Sequence, residues 1–262
     1  MPVFDWHAMT ASVVVIAGTP PWTAALLAQL PVGWTGKIYT QQAGYVPRLV
    51  DDGAALILVD GAAAEWRFWT ATPKVSPATR RIPLIVISDD ETHFPTARTA
   101  GADRALTSAA LLAQLPALLH DFTRLPDTAQ QTQIDGECQD ALPPQALEGI
   151  ALFNQGEYYR QHDVFEALWM ATPGPSRNLY QGILQVGIAY YQITRGNQRG
   201  ALKMLLRSVQ WLERLPDVCQ GVDVKQLRED SARVRAALEA LPPANITAFD
   251  RSLLKPVRLV PG

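Results

Sequence analysis

The densest concentration of reactive side chains lies in the run FNQGEYYRQHDVFEALWM (153–170). On a helix, Tyr159, His162, Glu166 and Trp169 fall at i, i+3, i+7 and i+10, which is one face. An imidazole and a carboxylate one turn apart can act as base and acid, begin a metal site, or brace neighbouring helices through hydrogen bonds. Gln181 and Gln185 repeat a one-turn spacing within the otherwise apolar stretch NLYQGILQVGIAYYQI. A buried amide without a partner costs about 1–3 kcal/mol. The two pairs therefore read first as one shared network that fixes helix register, second as a pocket for a small polar ligand, and third as a catalytic or metal site. The third reading is thin. His162 is the only histidine in the second half. HxxxE lacks the second histidine of HExxH, and zinc takes three or four N, S or O ligands. Ser176 and Ser208 have no histidine at motif spacing, so no nucleophile–base–orienter set is visible. No catalytic residue, metal or cofactor is assigned.

Two further groups could do chemistry. Asp60 and Ser88 close the apolar runs AALILVD and PLIVIS. A carboxylate and a hydroxyl at strand ends stand where doubly wound sheets bind ligands. Arg199, Lys203 and Arg207 recur every four residues, a basic stripe that could meet phosphate. Glu213, Glu229 and Asp230 lie nearby in the chain, and the stripe reads as a solvated helix edge.

The elements that must position these groups differ between the halves. Five short apolar runs (12–18, 36–40, 54–60, 83–88 and 103–107) alternate with helical stretches up to residue 125. This pattern predicts a doubly wound, five-stranded parallel sheet over residues 1–125. Residues 126–144 are polar and aperiodic and read as a linker. Residues 145–241 hold five segments with a 3.6-residue period, which predicts an all-α bundle. Asn197 and Asp223 stand as N-caps. Gly182 and Gly187 would let helices approach closely. The proline-containing tail, 242–262, reads as extended over the bundle surface.

Composition narrows the function classes. The chain has 262 residues, 48% hydrophobic and 18% charged, with a formal net charge of −2. That balance fits a folded protein and argues against a general nucleic-acid surface. No apolar run reaches about 18 residues, so no membrane span is expected. The opening residues lack the pattern of a secretory signal. Cys138 and Cys219 form no CxxC pair and read as incidental, in keeping with a reducing cytoplasm.

Four segments of the first half resemble the receiver domain of response regulators: VVVIAGTP (13–20), AALILVDG (54–61), IPLIVIS (82–88) and GADRALTSA (101–109). The resemblance implies a receiver (flavodoxin-like) fold with Asp60 at the phosphoacceptor position and Ser88 at the phosphate-sensing hydroxyl. It also exposes losses. Ala17 and Gly18 stand where an acidic pair would hold magnesium, and Ser108 stands where a lysine would balance the phosphate. One carboxylate in place of three binds magnesium poorly. The last helices and fifth strand would then serve as a contact surface, with Leu111, Leu112, Leu115, Leu118 and Leu119 supplying an apolar excess.

The second half resembles a family described as "domain of unknown function 309". Phe153, Asn154, Gly156, Tyr158, Tyr159, His162, Glu166 and Trp169 carry its first motif. Gln181, Gly182 and Gln185 carry the second, and Gly196, Asn197, Gly200, Ala201, Leu205 and Leu206 the third. This resemblance implies an all-α bundle and no established activity. Together the two halves lead to the expectation of a cytoplasmic, non-catalytic signalling protein of bacterial type: a degenerate receiver joined to a helical module that binds a protein partner, a second copy or a small polar ligand. The alternative is an enzyme or metal-binding protein using His162 and Glu166.

Overall fold

The β-branched runs of the first half form five parallel strands in a computed structural model that describes residues 12–123, 125 and 128–260. They are β1 (Ser12–Ala17), β2 (Trp34–Tyr39), β3 (Ala54–Asp60), β4 (Leu84–Ile87) and β5 (Arg104–Leu106), in the order β2-β1-β3-β4-β5. This is one of the two common orders of doubly wound sheets. The opening residues 1–11, read for a targeting signal, lie outside the described residues.

Alternation along the strands divides the apolar residues between two faces. Val13, Val15, Ile57 and Val59 pack with Tyr45, Leu49, Trp69 and Ala97 from α2 (Tyr45–Asp51), α3 (Trp66–Val75) and α4 (Phe94–Thr99). Val14, Ile16, Leu56, Leu58, Ile85 and Ile87 pack with Leu26 of α1 (Thr23–Gln29) and with α5 (Ser108–Asp121). The apolar excess of α5 is consumed there: Leu111, Leu115, Leu118 and Leu119 are buried and Leu112 is half-buried against the same core. Its outward residues include Ala109, Ala113, Gln114 and Ala117.

The second unit, residues 126–262, is helical. It contains α6 (Thr128–Glu137), α7 (Pro144–Asn154), α8 (Tyr158–Ala171), α9 (Arg177–Thr194), α10 (Gln198–Leu212) and α11 (Val224–Glu239). A two-stranded hairpin of β6 (Val218–Cys219) and β7 (Val222–Asp223) precedes α11. Helix α9 is central and packs against α8 and α10. Its glycines act as expected: a Cβ on Gly182 would lie 2.3 Å from Leu212 Cδ2, and one on Gly187 2.3 Å from Gln161 Nε2. Asn197 and Asp223 both cap, accepting from the backbone N–H of Gly200 and Gln226.

Three sequence expectations are corrected. The stretch 126–144 is more than a linker, because it holds α6, whose Ile134 enters the helical core together with Cys138. The tail is not simply extended. It forms 3-10 turns at Pro243–Ala248 and Arg251–Leu253, and inserts Phe249 and Val257 into the core. The cysteines are not incidental: Cys138 and Cys219, 81 positions apart, are joined as a disulfide. Cysteine usage therefore gives no argument for a reducing compartment. Among the described residues, no helix is long and apolar enough to cross a membrane.

The end of α6 is also held by charge. Glu137 accepts from the Ser176 backbone N–H at 2.9 Å and from Gln133 Nε2 at 2.9 Å. Ser176 is the residue before α9, so the carboxylate sits at the positive end of that helix. Burial pushes the Glu137 carboxyl up, and the hydrogen bonds from Ser176 and Gln133 outweigh it, leaving the group below the usual carboxylate range. A carboxyl depressed in the folded state stabilises above its unfolded pKa, and that stability is lost as pH falls through the folded value. Acid titration of thermal stability, from roughly pH 6 to pH 3, should therefore cost the unmodified protein more than Glu137→Gln.

Candidate functional site

The carboxyl edge of the sheet gathers the chemistry of the first half. Asp60 ends β3, is partly exposed, and accepts from the Ala62 N–H at 3.0 Å. Gly18, just after β1, lies against it. It has φ +107°, and a Cβ there would sit 2.8 Å from Asp60 Cβ. An acidic side chain at position 18 is thus opposed twice, by backbone conformation and by the neighbouring aspartate.

Ser88 follows β4 and is buried. Its Oγ accepts from the Asp90 N–H at 3.2 Å and lies 3.4 Å from His93 Nδ1. Asp90 in turn caps the short turn after it, and bonds from the Thr92 side chain and backbone hold its carboxyl below the usual range. At the start of α5, the Ser108 N–H and Oγ both donate to Asp89, at 2.8 and 3.0 Å. The loop after β4 is therefore tied to the helix after β5 through a carboxylate.

In the helical unit, α8 presents its motif residues outward. Tyr159 is 60% exposed, and Glu166 is also exposed. The His162 side chain is 29% exposed, and its Nδ1 lies 3.1 Å from Asp163 Oδ1. The Tyr159 ring stacks near His162, with centroids 6.3 Å apart, and meets Tyr191 of α9 at 5.6 Å. Trp169 is half-buried beneath the Arg177 guanidinium, 5.1 Å from its ring centroid.

Gln181 and Gln185 face the other way and are buried. Among the described residues no hydrogen bond joins them to His162 or Glu166, so the expected four-residue network does not form. The amide that does brace these helices is Gln161. It is fully buried, and its Nε2 donates to Tyr158 O at 3.0 Å and to Leu184 O of α9 at 3.4 Å. Gln161 is absent from the sequence reading, yet Phe165 and Leu168 at i+4 and i+7 mark its face as the inner one.

The basic stripe is discontinuous. Arg199 and Lys203 are exposed and Arg207 is half-buried. Among the described residues, no three of His, Cys, Asp or Glu come together as a metal site would require.

Comparison with known proteins finds matches to part of the chain. An uncharacterized protein of Aquifex aeolicus (strain VF5) is 22% identical over 77 residues, a match that takes in 29% of this chain and 23% of that protein. Residues 146–204 match the family described as "Domain of unknown function (DUF309)". That span runs from α7 into α10 and includes the outward face of α8 and the buried glutamines of α9. The helical unit thus carries a DUF309 domain.

Proposed function

We propose that the chain is a non-catalytic signalling protein in which a receiver-like α/β unit, unable to accept a phosphoryl group, serves as a docking or dimerisation platform and is joined in sequence to a DUF309 domain that recognises a partner or small polar ligand. One observation carries the first part. Where a receiver needs a cation to balance the phosphate, Ser108 is tied to the carboxylate of Asp89. An added phosphate would meet that negative charge, with one strand-end carboxylate and, among the described residues, no ammonium group at the lysine position to neutralise it. The second part is supported by the outward placement of Tyr159, His162 and Glu166, which leaves them accessible to a partner.

Incubation with magnesium and acetyl phosphate should leave the intact mass unchanged. A phosphoryl adduct on Asp60, lost in Asp60→Asn, would overturn the proposal.

A further inference from the structure

Asn154, the last residue of α7, makes an unusual pair of bonds with the C-terminal tail. Its Nδ2 donates to Val257 O at 3.0 Å, and its Oδ1 accepts from Val257 N at 2.8 Å. A side-chain amide here reproduces the two bonds that a neighbouring strand offers a backbone. One residue further on, the tail joins the hairpin. Asp223 N donates to Arg258 O at 3.0 Å, Val260 N donates to Gly221 O at 2.8 Å, and Val222 faces Leu259 in an antiparallel bridge. The tail is thus bridged to β7 at one residue pair, a short version of the mode by which sheet edges take up extended peptides. Apolar anchors set the register: Phe249 and Val257 are 6% and 3% exposed, with Leu253 and Leu254 against the same core.

The segment feeding this arm is different. Between 240 and 248, Ala240, Pro242, Pro243, Ala244, Asn245, Thr247 and Ala248 are exposed, and only Leu241 and Ile246 are half-buried. Gln198 Nε2 holds the start of this connection by donating to Leu241 O at 2.8 Å. A well-anchored arm on the exposed stretch beyond it can lift and reseat, and every contact it makes can be made equally by the same arm of another molecule.

We infer that residues 249–260 are an exchangeable arm, and that the cleft between Asn154 and the β7 edge accepts the arm of a second copy of this chain. The cleft's fit to that sequence is displayed within one molecule, which singles out a second copy as the occupant. The inference stands apart from the proposed function, since it uses neither the sheet edge nor the outer face of α8.

The test uses the full chain and a fluorescent synthetic peptide of residues 249–260. Val260→Pro removes one arm bond from a residue that is 39% exposed, leaving the core untouched. With its own arm weakened, this variant should bind the peptide about fivefold more tightly than the unmodified chain. A peptide methylated on the backbone nitrogen of its residue 257, which cannot donate to Asn154 Oδ1 as the resident arm does, should bind that variant about tenfold more weakly. Light scattering of the unmodified chain at rising concentration should show dimers that excess peptide dissolves. Equal peptide binding by the unmodified and Val260→Pro chains, indifference to the methylated backbone nitrogen, or a chain that stays monomeric throughout would each overturn the inference.

Discussion

Replacing both Cys138 and Cys219 with alanine should lower the stability of the helical unit by about 4.5 kcal/mol in the chain-entropy account of cross-links. The bridged residues are 81 positions apart, and the closed loop takes in α7, α8, α9 and α10. Such a link restricts the unfolded chain most when the loop is long. A second contribution is local. Ile134 is the one buried residue within α6, and the disulfide follows immediately after it. The remaining holds on this end are the Glu137 contacts and the bonds from Gln220, whose N–H donates to Cys138 O at 2.6 Å and whose Nε2 donates to Glu137 O at 3.3 Å. Loss of the bridge should therefore drop the melting transition of the helical unit by roughly 10–20 °C. It should also raise hydrogen exchange in residues 128–138 before the rest of the unit. The same shift should follow when a dithiol reduces the unmodified protein. A change under about 1 kcal/mol, or free thiols in the protein unfolded without reductant, would show that the bridge holds nothing.

The legible parts of this molecule are those where side-chain period alone decides the outcome. Val13 to Ala17 and Ala54 to Val59 are apolar on both sides, and only a strand between two helical layers buries both. Gly156, Gly196 and Pro216, residues that break helices, fall between them. Asp60 and Ser88 could be placed at the carboxyl edge because strand ends follow from the same pattern.

What escaped depends on distant partners. The α6 segment TAQQTQIDGE has no apolar stripe, so nothing local marks it as part of a core. Its burial comes from one isoleucine and from a cysteine whose partner is 81 residues away. The tail prolines suggested an extended surface path, but Phe249 and Val257 are drawn into the core and Asn154 clamps the backbone. On α8 the buried face lies one residue away from the chemically conspicuous one. The polar face 159–162–166–169 is chemically conspicuous, while the inner face 161–165–168 is set by Phe165 and Leu168. One residue is about 100° of rotation, enough to exchange inside for outside.

That one-residue offset separates the brace from the proposed recognition surface, and substitution should separate them too. Gln161→Ala removes the amide that ties α8 to Leu184 O and empties the space over Gly187. The expected cost is about 2–3 kcal/mol, from two lost hydrogen bonds and the void. Gln161→Met keeps most of the volume and also removes the amide oxygen, which has no partner among the described residues, so it should cost less than alanine. His162→Ala touches a partly exposed ring whose hydrogen-bonding neighbour, Asp163, has a side chain 69% exposed, and should stay within about 0.5 kcal/mol. Denaturant unfolding of the three variants measures this directly. Binding should show the reverse order: a partner captured through the α8 face loses affinity with His162→Ala or Tyr159→Ala and keeps it with Gln161→Met. If His162→Ala proves the costlier change for folding, the histidine is the brace, and the outer face of α8 has no claim to recognition.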